Sequence, residues 1–244
     1  MARASRDPGR EFIPPVMKIR LRYTKRDRLR FTSVRDFQRA FERALRRCNV
    51  PMAYSAGFRP HPKISYANAA PTGAGSEAEF VEIGLVQERD PQQLLADLNA
   101  ALPTGLDIVQ AVVADGSDLV ARLEASVWQL EFVDTDPALV TAAAEKLLES
   151  DIVEVTRVMK SGPRTFDVRS SIRAIDHRIE GNGDDAYAIL AVVVSHGTPS
   201  VRPDDVLAAL NDVANLVPSS PVVVTRLAQG PLNPDGRGVG DPLA

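Results

Sequence analysis

A single order of periodicities runs along this chain twice, and few folds accommodate it. Lys18 to Thr24 alternates apolar Ile19, Leu21 and Tyr23 with cationic Lys18, Arg20 and Arg22, the period of a strand. Ser33 to Cys48 has the period of a helix, with Ser33 as N-cap and Asp36 three residues on. Its apolar face is Val34, Phe37, Phe41, Ala44, Leu45 and Cys48, while Arg35, Arg39, Arg43, Arg46 and Arg47 fall largely off that face. A short strand near Met52–Ser55, a strand over Glu77–Val86, a proline-opened helix over Pro91–Ala101 and a strand over Leu106–Val113 follow.

That order, βαββαβ, is the ferredoxin-like unit. It starts again with a strand over Ser126–Phe132 and a helix over Pro137–Leu148, then a strand over Ile152–Val158. Tyr187–Val194 reads as a buried strand, Pro203–Leu210 as a helix and Pro221–Leu227 as the last strand. Residues 160–185, containing RTFDVRSSIRAIDHRIE, are left as an insertion. The pattern predicts an α+β protein of two tandem ferredoxin-like halves with antiparallel sheets, residues 16–115 and 122–228. The polar segment 1–15 and the Gly- and Pro-rich segment 229–244 are expected to be flexible tails.

At 244 residues there is ample chain for a core. One cysteine, Cys48, excludes a disulfide framework and points to a reducing compartment. No apolar run reaches membrane-span length, and MARASRDPGREF has no apolar signal-peptide core. A cytoplasmic protein with no membrane association is expected. The net charge of −3 hides an asymmetry. Residues 1–64 hold 17 Lys and Arg against 5 Asp and Glu, and the rest holds 12 against 27. A basic front on an acidic body suits a polyanion partner, or two halves that attract one another.

The basic front contains an unusual loop, GFRPHPKISYA, over residues 57–67. Gly57 permits positive φ, and Pro60 and Pro62 push Arg59 and His61 towards extended backbone. Arg59, His61 and Lys63 therefore lie on a stiffened rail, with Ser65 and Tyr66 beyond it. On the first strand, Lys18, Arg20 and Arg22 should occupy the sheet face away from the helices, a display suited to phosphate. The competing expectation is that Glu82, outward on EAEFVEIGL, pairs with Arg20 or Arg22. Apart from Phe80, this sheet lacks the aromatic pair of an RNA-recognition-motif surface.

The loop GFRPHPKISYANAAPTGAGSEAEFVEIGL, with RLRFTSVRDFQRAFERALRRCNVPMAYS before it, resembles the radical-SAM-linked protein family. The resemblance covers most of residues 17–115, and RTFDVRSSI looks like a weaker matching signature. It implies an accessory or substrate-binding partner for a radical SAM enzyme, with no assigned reaction and no catalytic residues. The chain is not that enzyme itself, because an iron–sulfur cluster needs several thiolates. Cys48 ends an apolar helix face and reads as core. His61, His177 and His196 are scattered, so no metal site and no cofactor is expected.

Weak catalytic candidates are His61, able to accept a proton near neutrality, and Asp167, set among Arg164, Arg169 and Arg173. For Asp167 an internal ion-pair network is the competing expectation. Thr72-Gly73-Ala74-Gly75-Ser76 precedes a strand and lacks the lysine of a P-loop, so it reads as a turn. The expected RNA- or anion-binding set is Lys18, Arg20, Arg22, Arg59, His61, Lys63, Ser65 and Arg169. Three functions fit: an accessory RNA-binding protein working with a radical SAM enzyme or RNA-processing machinery, an RNA-modifying or RNA-cleaving enzyme, and a binder of a small anionic ligand. The oligomeric state is not legible in the sequence.

Overall fold

The structure, a computed structural model, describes residues 13–159 and 162–244. The expected N-terminal tail therefore lies, up to residue 12, outside the described residues, as do the first two residues of the expected insertion. Among the described residues the protein is mixed α/β, with five α-helices and mostly antiparallel strand pairs. It divides into two compact units. Apart from Leu243 and Ala244, the first holds the chain to Thr72 and Glu79–Asp118, and the second holds Gly73–Ala78 and Leu119–Pro242.

In the first unit the elements run β1 (Met17–Lys25), α1 (Val34–Arg47), β2 (Ile64–Ala67), β3 (Gly75–Leu85, from Glu79 on), α2 (Pro91–Ala101) and β4 (Ile108–Val113). The strand order is β4-β1-β3-β2. Strand β1 pairs antiparallel with β4, Leu21 opposite Ala111, and β2 pairs antiparallel with β3, Ser65 opposite Glu82. Alternation puts Ile19, Leu21 and Tyr23 of β1 and Val81, Ile83 and Leu85 of β3 into one core with Phe37, Phe41, Leu45, Leu94 and Leu98. Tyr23 stacks on Phe37 with ring centroids 4.1 Å apart. Burying Phe41 completely stabilises the fold by about 1.5–3 kcal/mol over leaving it exposed. Ser33 caps α1 by accepting the Asp36 N–H at 3.2 Å, as its sequence position predicts. Val34, expected on the buried face, is 44% exposed because it opens the helix before the core begins.

The expected strand at Met52–Ser55 is only a pair of isolated bridges, Met52 to Leu85 and Tyr54 to Pro62. The regular strand comes after the proline loop, at β2. Proline cannot donate to a ladder, so continuous pairing resumes only after Pro62.

In the second unit the order is α3 (Leu119–Arg122), β5 (Ala125–Phe132), α4 (Pro137–Glu149), β6 (Glu154–Met159), β7 (Gly162–Asp167), β8 (Ile172–Glu180), β9 (Tyr187–Ser195), α5 (Pro203–Ala214) and β10 (Val223–Gly230). Its sheet runs β10-β5-β9-β8, with Gly75 and Ser76 pairing parallel to β10. Here the expected connectivity needs correction. The strand read at Ile152–Val158 is β6, and it pairs with β7 in a separate two-stranded sheet. The strand beside β9 is β8, which lies in the segment taken for an insertion. Strand β8 is at the end of its sheet, and Asp176–Glu180 are all exposed, so no apolar alternation marks that half.

The C-terminal segment also differs from a loose tail. Gln229 and Gly230 complete β10. Beyond them, Leu232 N–H donates to Glu124 at 2.9 Å, Gly240 N–H donates to the Pro231 carbonyl at 2.8 Å, and Arg237 pairs with Asp176. Hydrogen bonds and an ion pair, invisible to hydropathy, hold this segment.

Candidate anion-binding surface

Two of the three cations expected to be free on β1, Lys18 and Arg20, are used by the protein itself. Arg20 is 2% exposed; it bonds Glu82 and Asp115, each at 2.9 Å, Ser117 Oγ at 3.1 Å, and the Ser117 carbonyl. Lys18 Nζ sits 2.8 Å from the other Glu82 oxygen. Partial burial acts to raise the Glu82 carboxyl, but hydrogen bonds from Lys18 and Arg20 outweigh it and hold the group below its ordinary 4.5. Arg22 is half-buried, its Nε buried without a hydrogen bond. The expectation that Lys18 and Arg20 grip an outside anion is thus corrected. Glu82, foreseen as the alternative partner, takes both, and Asp115 and Ser117 after β4 complete the enclosure of Arg20.

The proline loop is a short braced hairpin. Ser55 N–H donates to the His61 carbonyl at 2.9 Å, and Lys63 N–H donates to the Ala53 carbonyl at 2.8 Å. Ser55 Oγ accepts the His61 N–H at 3.1 Å and lies 3.0 Å from His61 Nδ1. His61 is therefore a brace for the loop, exposed, with no carboxylate partner among the described residues. Arg59 is exposed and, among the described residues, has no carboxylate partner. Lys63 and Ser65 line a cleft of about 330 Å³ with Lys18, His61, Glu82 and Gly84. Because Glu82 lies in its wall, this cleft is not purely cationic.

Asp167 and Arg169 belong to the second unit and do not form the expected ion-pair network. Asp167 accepts the Val153 and Arg169 N–H groups at 3.0 Å and the Ser170 N–H at 3.2 Å. Burial acts to raise its carboxyl, but these hydrogen bonds prevail and hold it below 3.8. Arg169 donates to the Ile172 and Leu148 carbonyls, each at 3.0 Å. Both residues tie backbone together at the turn after β7. Arg164 and Arg173 are exposed, and Arg173 bonds Ser195 Oγ. Among the described residues there is no group of three or more His, Cys, Asp or Glu able to hold a metal ion. Among the described residues no helix is long and apolar enough to cross a membrane.

An exposed row of arginines lies instead on α1. Arg35, Arg39, Arg43 and Arg47 recur every four residues, with Arg46 beside them, and all five are exposed. Residues four apart on a helix are neighbours about 5–6 Å apart, so they form one stripe along the helix. Arg39 and Arg46 reach Asp36 and Glu42 only at 3.8 Å, and such exposed pairs contribute about 0.3–0.5 kcal/mol. Arg47 donates to the Ala101 carbonyl at 3.2 Å, and Arg35 and Arg43 have no carboxylate partner among the described residues. A cleft of about 370 Å³ beside the stripe is floored by Ala40, Ala44, Ala100 and Ala101 and edged by Arg43 and Arg47. The signal for this stripe is the spacing of four, visible in the sequence but subordinate there to the alternation on β1.

Residues 18–203 match the family described as "Uncharacterized protein conserved in bacteria (DUF2344)". No curated protein matches the chain. Among solved structures, a DypB variant in complex with manganese matches at 14% identity, covering 83% of this chain and 86% of that one. Its TM-score of 0.23 carries no argument about fold or function. The match to the family spans well over half of the sequence, and the chain belongs to it.

Proposed function

We propose that this member of the DUF2344 family is an accessory RNA-binding protein that holds the phosphate backbone on the arginine face of α1. The observation that carries this reading is the contrast between two sets of cations. On β1, Lys18 and Arg20 are paired with Glu82 and Asp115, while five arginines on α1 stand exposed with weak partners. Guanidinium forks match phosphate oxygens, and release of condensed counterions drives the association. The resemblance of residues 17–115 to the radical-SAM-linked family makes a radical SAM enzyme, or RNA-processing machinery, its proposed working partner. We also read each unit as ferredoxin-like. The recurrence of one strand order, β4-β1-β3-β2 and then β10-β5-β9-β8, supports that reading.

The test is fluorescence anisotropy with a structured RNA over a range of salt, comparing wild type with the triple variant Arg35→Glu, Arg39→Glu, Arg43→Glu. Each phosphate contact adds about 0.7–0.9 to the slope of log affinity against log salt. The triple variant should therefore show a slope shallower by about 2 and much weaker binding at low salt. Absence of binding at low salt, affinity indifferent to salt, or a triple variant that binds like wild type would each dispose of this function.

A further inference from the structure

The tip of the braced hairpin presents Phe58, 86% exposed, between Gly57 and Arg59. Exposed apolar residues scattered singly are ordinary. This one differs in how firmly it is presented and in what surrounds it. The backbone is pinned below it by the Ser55–His61 and Ala53–Lys63 bonds, and Lys63 and Ala53 are in turn bonded to Gly84 of β3. Gly57, at φ +117°, makes a bend that an L side chain rarely adopts, and Pro60 stiffens the return. Holding an aromatic ring in water on a stiff support removes most of the ordering cost of binding through it.

The charge around the tip selects the partner. Arg59, next to Phe58, is exposed with no carboxylate partner among the described residues, while Lys63, four residues further on, shares its cleft with Glu82. An uncharged apolar pocket would use the ring alone. A nucleotide uses both features, because a base stacks on the ring and its phosphate meets the guanidinium.

We infer that the hairpin tip takes an unpaired RNA base, stacked on Phe58, with Arg59 on the adjoining phosphate. This rests on the RNA-binding reading and adds to it a preference for loops, bulges and single strands over continuous duplex. The α1 stripe sees only backbone and should bind paired and unpaired RNA alike. The tip should act only where a base is free of its stack.

The experiment uses Phe58→Trp and Phe58→Leu in the full chain, each titrated with a stem-loop RNA and with a fully paired duplex of the same length. Wild type has a single tryptophan, Trp128, which is 6% exposed, and so serves as the fluorescence blank. Stacking predicts strong quenching of the new tryptophan by the stem-loop and little by the duplex. Phe58→Trp should bind the stem-loop about as well as wild type, and Phe58→Leu about tenfold more weakly, with duplex affinity unchanged in both. If the stem-loop binds but the new tryptophan is not quenched, or Phe58→Leu binds it like wild type, the tip inference is wrong and the RNA reading stands. If neither RNA binds wild type, both are wrong.

Discussion

Replacing Arg20 with methionine tests whether the first strand's cations are structural. The guanidinium is 2% exposed and holds two carboxylates at 2.9 Å. Removing one partner of a buried ion pair typically costs about 3–5 kcal/mol, because the other charge stays buried without compensation. Here the lower end applies. Lys18 remains 2.8 Å from Glu82, Asp115 is 56% exposed and regains water, and methionine fills much of the vacated volume. A loss of about 3 kcal/mol corresponds to a fall in Tm of roughly 6–12 °C for a chain of this size. Urea denaturation followed by circular dichroism measures the loss, and hydrogen exchange at the β1 amides assigns it to the first unit.

The same variant predicts a pH signature. Glu82 is held below its ordinary 4.5 in the folded protein. The stability it confers is therefore present above about pH 4.5 and is lost as pH falls through the lower folded value. The gap between wild type and Arg20→Met should be widest near neutrality and should narrow in acid. At temperatures well below its melt, Arg20→Met should bind RNA like wild type. A loss under about 1 kcal/mol, a gap unchanged in acid, or an RNA defect matching that of the α1 triple variant would refute this reasoning.

Two further outcomes test other assignments. Asp167→Asn loses part of a three-bond backbone clamp and should cost about 1–2 kcal/mol without altering RNA binding. Because that carboxyl is held below 3.8, the difference from wild type should close as pH falls beneath that value; a difference that persists there would contradict the assignment. Cys48 is raised from its ordinary value first by burial and then by Asp97, and its Sγ lies 3.2 Å from the Asp97 carbonyl. Alkylation by iodoacetamide near pH 7.5 should be at least about tenfold slower in the native protein than in urea, and equal rates would show that the thiol is reactive.

Where apolar period and capping chemistry agreed, the sequence was a sufficient guide. Helix α1 begins after Ser33, α2 and α4 each open on a proline, and Ile19, Leu21 and Tyr23 face the core as their alternation requires. It failed where the deciding interactions are made by polar groups distant in sequence. Nothing local to Arg20 announces that Asp115 and Ser117, nearly a hundred residues on, enclose it. Strand β8 looked like an insertion because the exposed half of an edge strand has no hydropathy to read. Phe58 and the α1 arginines were in plain view, but exposure is a property of the folded surface.

Local sequence thus determined helices α1, α2 and α4, the alternating strand β1, the stiffness of the proline loop and the excess of positive charge near the front of the chain. Those properties follow from backbone sterics and side-chain period, which act over a few residues. Tertiary structure alone decided which of those charges are spent on carboxylates and which face water. Pairing a charge depends on what the fold brings within about 3 Å of it, and sequence spacing does not encode that distance.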